Sequence, residues 1–318
     1  MKDNNELRKI SMTKPVVKNL TVQMMHKKGA AKRRRREWLV HTAYLAPSLA
    51  GVMLFFFLPL IVILYNSMLK STTNSEFVGL DNYSDVFGNQ AFILAMKNTF
   101  LFSSLAVPLA VILSLLLALL MNTKIPGRSW FRSVFLNPMM VPVASVVLIW
   151  QVFFSFNGTI NSFLGGFGLD KIDWMKSDWS RLVVLLLFLW KNMGYNMVLF
   201  LSALNNVPVE LLESAKLDGA GSVKRFLHVS MAYLYPTIFF VGIMSLISSF
   251  KIFREVYLLT GAHPVNSLYL LQHFMNNAFA KLEYQKLSSA SIIMCIGMIV
   301  IVGVLFIAES RLGRDVEE

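Results

Sequence analysis

Six long apolar runs separated by short polar connections set the pattern of this chain. They extend over roughly Tyr44 to Leu69, Thr99 to Met121, Val134 to Phe156, Leu182 to Leu204, Leu234 to Phe253 and Ser288 to Ala308. Each is long enough to cross a hydrocarbon layer of about 30 Å, which takes about 20 helical residues. In lipid only a helix or a closed barrel satisfies every backbone polar group, so runs of this length predict six transmembrane helices and an all-α membrane protein. The connections are too short for a sizeable soluble domain. The expected organisation is a basic cytoplasmic or interfacial tail at residues 1–43, a membrane domain at 44–308 and a short cytoplasmic tail at 309–318.

Composition agrees with the pattern. Hydrophobic residues make up 55% of the 318 and charged residues 15%, above and below the shares of soluble domains. Charge then orients the spans, because Lys and Arg are retained on the cytoplasmic side of short loops. With the N-terminus inside, the basic residues before Trp38 are cytoplasmic, followed by Lys124, Arg128 and Arg132, by Lys216, Lys224 and Arg225, and by Arg311 and Arg314. Roughly two thirds of the 30 Lys and Arg then lie inside. The opposite orientation would carry Arg33 to Arg36 across the membrane, so both termini are expected in the cytoplasm.

The net charge of +12 therefore needs no nucleic acid to explain it. The Arg33 to Arg36 run suits anionic lipid headgroups and lacks the interleaved aromatics of a single-strand reader. The basic region before the first span is about 43 residues long and the apolar run after it exceeds a signal-peptide h-region, so this span is expected to stay in the mature protein. Cys295, the single cysteine, lies in the sixth run and can form neither an internal disulfide nor a zinc site; it reads as a small packing residue.

Between the fourth and fifth runs lies a polar, glycine-broken segment. Asn205-Asn206-Val207-Pro208 ends the fourth span, and Pro208 suits the first turn of a new helix, where its missing N–H costs nothing. A short helix to about Leu217 follows. Leu211, Leu212 and Ala215 share one of its faces while Glu210, Glu213 and Lys216 project elsewhere, so it can lie along the membrane with one face free. Gly219 breaks the helix, and Ser222 is expected to cap the next one, which carries Phe226. An ordinary solvated loop is the plainer reading of the same residues.

The outer connections are less specific. Phe77 to Phe87 mixes aromatics with Asp81 and Asp85 and predicts a short amphipathic segment at headgroup level. Gly165, Gly166 and Gly168 read as a turn, since no Lys-Ser/Thr pair follows them. Trp174 and Trp179 read as interface anchors, and His263 and His273, lacking spaced partners for a metal, as solvent-facing loop or interface residues. No metal site is expected.

Glu213, Ser214, Ala215, Asp218, Gly219, Ala220, Phe226 and Pro236 are arranged as in the cytoplasmic loop of bacterial ABC importer permeases. The segment resembles that family's Glu-Ala-Ala, Asp-Gly-Ala, Phe pattern, with Ser214 and the Met231-Ala232 step departing from it. The first outer loop resembles the MalF-like and UgpA-like branch of sugar permeases, and Thr260 to Pro264 stands where the family has a Thr-Gly-Gly-x-Pro turn. The resemblance implies a MetI-like fold and a loop at 205–231 that fits a groove in a cytoplasmic ATPase. It further implies a second, MalG-like permease subunit, two ATPase copies that hold ATP and magnesium, and an extracytoplasmic sugar-binding protein. No cofactor is expected on this chain itself.

Polar residues inside spans usually face the bundle interior or a water-filled route. The fourth span supplies Trp190, Lys191, Asn192, Tyr195 and Asn196, and Trp150, Gln151, Ser248 and Ser249 can join them. Aromatic faces and neutral amides suit sugar rings and hydroxyls, whereas the same Asn, Gln and Ser residues also serve as interhelical hydrogen-bonding groups. Lys191, Lys251, Arg254 and Glu255 read as snorkelling anchors or ion pairs, with Lys191 also open to an anionic sugar. No phosphate-binding loop, zinc-protease pair or nucleophile elbow is present, so no catalytic residue is expected. The expected function is a carbohydrate importer permease, oligosaccharides being the favoured cargo. An ion-coupled secondary carrier is the alternative, and a membrane-embedded enzyme lacks the paired carboxylates it would need.

Overall fold

The computed structural model describes residues 38, 40–42, 44–71, 76–123 and 126–317. Most of the basic tail, including Arg33 to Arg36, and Lys124 lie outside them. Among the described residues the regular elements are helices, six of them long and apolar enough to cross a membrane, and the β contribution is one isolated bridge between Leu69 and Phe77. The chain divides at Val62 and Ile63 into two compact units.

Helix α1, Tyr44–Ser67, belongs to the first unit up to Val62, where none of its described residues is buried and a π turn spans Met53–Phe57. In the second unit, Ser67 and Tyr83 share a hydrogen bond of 2.7 Å between their hydroxyls. Tyr83 lies on α2, Asp81–Gly88, the helix expected from the mixed aromatic and acidic string.

Helix α3, Gln90–Asn122, starts at Asn89, whose side chain accepts from the amide of Ala91 at 2.9 Å and so satisfies one of the orphan donors of a helix start. Its buried face is a run of small residues: Ala95, Thr99, Ser103, Ala106, Ala110, Ser114 and Ala118. Lipid tails are as apolar as leucine, so spans associate through close packing, and small side chains permit it. The principal neighbour of that face is α7, Ser180–Asn205, whose Leu187, Phe188, Met197 and Phe200 are fully buried.

The third span differs from expectation. Residues from Val134 to Met140 belong to a separate helix, α4, Arg128–Met140, and the span starts afresh in α5, Val143–Phe154. Pro142 has no N–H to donate and pushes Val141 into an extended conformation, φ −82° and ψ 133°, which ends the first helix. Helix α6, Thr159–Gly166, follows. Gly165 and Gly166 are therefore helical, and the turn is made at Gly168, φ +74°. Trp174 is buried rather than an interface anchor, its indole N–H donating to Asn161 Oδ1 at 2.9 Å.

After α7 come α8, Val209–Leu217, and a one-turn helix α9, Ser222–Arg225. The fifth span continues through a π turn, Phe226–Ser230, into α10, Met231–Phe250. A break at Lys251 and Ile252 leads to α11, Phe253–Thr260, so this span is longer than the apolar run that announced it. Helix α12, Leu271–Ala280, precedes the last span in α13, Tyr284–Glu317.

His273 corrects another expectation, being fully buried near the start of α12. Its Nδ1 accepts from the amide of Leu270 at 3.2 Å, and its ring meets Phe253 edge to face at 4.7 Å. Burial lowers its pKa from the usual 6.5 to about 4, because desolvation disfavours the charged imidazolium. His263 is exposed, as expected.

Candidate functional site

Two features bear on function, and each is built from a short stretch of sequence. The first is the connection after α7. Pro208 stands at the N-cap of α8, Glu210 lies in its first turn and Lys216 in its last, the arrangement that complements the helix macrodipole. The far end closes in a Schellman motif: the amide of Gly219 donates to Lys216 O at 3.1 Å and that of Ala220 to Ala215 O at 3.0 Å. This turn needs a left-handed residue after the cap, and Gly219 has φ +80°.

No residue of α8 is buried, and Leu211 and Leu217 are among the exposed large apolar side chains. The free face therefore presents apolar side chains beside Glu213, Ser214 and Asp218, all exposed and, for the two acids, without an ion pair among the described residues. Phe226 points the other way and packs on the cluster around Met197 and Phe200. It anchors the connection to the bundle and takes no part in the free face. Ser222 makes no cap: Gly221 holds that position, and Ser222 Oγ accepts instead from the Arg225 guanidinium at 3.3 Å.

The second feature is a cavity of about 280 Å³ between α4, α7, α10 and α11. Of the nine polar and aromatic residues expected to converge in the spans, five line it: Lys191, Asn192, Tyr195, Asn196 and Ser248. They come together because the i, i+4 pairs Lys191 with Tyr195 and Asn192 with Asn196 form two adjoining rows on α7, opposed by Met244 and Ser248 one turn apart on α10. Asn192 donates to its own helix at Phe188 O, 2.8 Å, whereas Asn196 is buried and donates to Ser245 Oγ on α10 at 2.9 Å. Asn196 is thus engaged in joining two spans.

The other four lie elsewhere. Trp150 and Trp190 face each other with ring centroids 5.2 Å apart, Trp150 packing against the main core cluster. Gln151 donates to Leu258 O at 3.3 Å, tying α5 to α11. Ser249 is buried against Ser103 of α3 at 2.8 Å.

Met139, Phe188, Met244 and Ile252, which sequence reasoning missed, complete the wall with Lys251 and Glu255, which it read as anchors or ion pairs rather than as part of the path. Glu255 is buried and forms an ion pair with Lys191. The signal was present as opposite charges in the fourth and fifth spans, and of the two earlier readings of Lys191 and Glu255 the ion pair is the one observed. Lys251, on the same wall, is exposed. The cavity thus offers amide, hydroxyl and phenol groups and an ion pair on a largely apolar wall, groups able to hydrogen-bond a polar solute.

Comparison with known proteins agrees with this architecture. Residues 90–317 match the family model described as the binding-protein-dependent transport system inner membrane component, and the chain belongs to that family. It is a multi-pass component of the cytoplasmic membrane, a transport subunit and not an enzyme, in a class of systems that depend on a binding protein. It is 29% identical over 280 residues to the probable ABC transporter permease protein YesP of Bacillus subtilis, covering 84% of this chain and 90% of that one. Identity is 36% over 183 residues to the arabinooligosaccharides transport system permease protein AraP of Halalkalibacterium halodurans, 56% of this chain and 58% of that one. The sn-glycerol-3-phosphate transport system permease protein UgpA of Salmonella choleraesuis is 29% identical, over 86% and 94%. The fold is that of a chain in the crystal structure of a bacterial ABC transporter involved in the import of the acidic polysaccharide alginate, with a TM-score of 0.77, 23% identity and coverage of 88% and 98%.

Proposed function

We propose that this chain is a permease subunit of an ATP-binding-cassette importer for carbohydrate, of oligosaccharide size, and forms the translocation path with a second permease of the MalG-like branch. Two cytoplasmic ATPase subunits, holding ATP and magnesium, dock on the 205–231 connection, and an extracytoplasmic sugar-binding protein delivers the cargo. The observation that carries the docking role is the free α8 helix, with its exposed apolar residues and acids, held at a fixed angle by the Gly219 turn. A rigid helix of this kind transmits a push from a partner to the spans on either side, as a bistable assembly biased by ligand requires. The substrate class is supported by the amide, hydroxyl and phenol groups in the cavity wall and by the relative named as an arabinooligosaccharides transport system permease.

An ion-coupled carrier predicts charged coupling residues at the bilayer midplane and internal inverted repeats; the Lys191 charge on which that alternative rested is paired with Glu255. The test is ATP hydrolysis by the detergent-solubilised complex pulled down through this chain, with and without candidate oligosaccharides and their binding protein. Gly219→Pro cannot adopt φ +80° and loses the amide that donates to Lys216. Stimulated hydrolysis in the wild type and its loss in Gly219→Pro are expected; a pull-down with no associated ATPase overturns the proposal.

A further inference from the structure

On the outer side of the bundle an apolar cavity of about 400 Å³ lies between α3, the start of α7 and the segment before α12. Its apolar wall is formed by Leu101, Leu105, Leu182, Leu185, Leu268 and Leu270, and Asp178, Trp179, Arg181 and Asn98 also line it. Helix α3 has 33 residues, which at 1.5 Å each extends about 50 Å, some 20 Å more than the hydrocarbon core. Asn98, about two turns from its start, therefore falls near the outer headgroup boundary. Arg181, in the first turn of α7, stands at the same level. Leu101, Leu105 and Leu185 lie about one or two turns deeper along α3 and α7, while Leu182, Leu268 and Leu270 flank Arg181 and Ser267, and Trp179 is an exposed ring of the kind found at membrane interfaces.

The charges of Arg181 and Asp178 are separate. Arg181 Nε donates to Ser267 O at 3.2 Å and its Nη2 to Asn98 Oδ1 at 3.5 Å, which holds the guanidinium in place without neutralising it. Neither Arg181 nor Asp178 has an ion-pair partner among the described residues, although they sit three positions apart. A held cation and an exposed anion at headgroup depth, beside an apolar slot, complement a molecule with a phosphate, an ammonium and an acyl chain. We infer that this cavity is a binding site for a zwitterionic phospholipid of the outer leaflet, phosphatidylethanolamine being the matching chemistry. The phosphate meets Arg181, the ammonium meets Asp178, and one acyl chain lies along the leucines.

The test is native mass spectrometry of the intact complex containing this chain, titrated with phosphatidylethanolamine or phosphatidylglycerol. One phosphatidylethanolamine per copy of this chain should be retained, and Leu105→Trp, which fills the slot, should lower that occupancy at least fivefold. Arg181→Gln should weaken both lipids, and Asp178→Asn should reverse the preference in favour of phosphatidylglycerol. Unchanged occupancy in Leu105→Trp overturns the site. Loss of the second permease subunit from the Leu105→Trp complex overturns it as well, by assigning the surface to protein, and indifference to Asp178→Asn overturns the headgroup assignment.

Discussion

Gly194 lies where α4 crosses α7, and a Cβ added there would collide with the carbonyl group of Phe135, with Leu136 N a further 3.3 Å contact. The far end of a flexible side chain could swing aside, but a backbone carbonyl cannot, so α4 as a whole must retreat. Interiors packed near crystal density transmit such a shift rather than absorb it. Overpacking costs about 1–3 kcal/mol, and the upper value fits an obstacle made of backbone. Alanine in turn favours the helix by about 1 kcal/mol over glycine, which leaves Gly194→Ala destabilised by about 2 kcal/mol. For a chain of this size, with about 2.1 cal/mol/K of unfolding entropy per residue, that corresponds to a fall in Tm of about 3 °C. Gly297 on α13 supplies the control, since nothing lies within 4 Å of its added Cβ; Gly297→Ala should hold or raise Tm. Because α4 carries Met139 into the cavity wall, uptake should fall in Gly194→Ala and persist in Gly297→Ala. Thermal unfolding of the two purified variants beside wild type decides the matter: equal Tm values would refute the crossing argument.

Other expected outcomes concern the ion pair, the buried histidine and the two amides. Glu255→Gln leaves the Lys191 ammonium without its counter-charge; breaking a buried pair costs about 3–5 kcal/mol, and the partial exposure of Lys191 brings this to about 2 kcal/mol. Lys191→Met in the same chain should restore much of it, and strict additivity in the double-mutant cycle would show that the two charges do not interact. His273 titrates near 6.5 when unfolded and near 4 when folded, so between those values the unfolded chain binds more protons and stability rises with pH. Tm should be flat above about pH 6.5 and fall as pH drops toward about 4, and His273→Phe should flatten that part of the profile; an unchanged slope would place the acid sensitivity elsewhere. Asn196→Leu should cost about 0.6 kcal/mol of stability, the usual worth of an interhelical hydrogen bond in a membrane. Asn192→Leu should instead alter the response of uptake to oligosaccharide at unchanged Tm, and wild-type transport in that variant would return Asn192 to helix packing.

Hydropathy and charge determined the class of this protein, because a backbone in lipid has few ways to satisfy its hydrogen bonds and because basic residues resist translocation. The local chemistry of Pro208 and Gly219 likewise announced the α8 helix and its end, each residue acting through its own dihedral angles. Pairings between distant segments were decided by the tertiary structure. The break at Val141 and Pro142 could be suspected from proline, yet only the crossing at Gly194 gives the detached helix a place to pack. His273 has nothing in its neighbouring sequence that predicts burial; Phe253, from the preceding helix α11, closes over its ring. Trp150, Gln151 and Ser249 carry the same polar or aromatic groups as the residues of the cavity wall, and only the tertiary structure shows them in contact with other helices outside that wall. Lys191 and Glu255 were each visible in the sequence, but 64 positions separate them, and a contact across that distance exists only once α7 and α11 have been brought side by side.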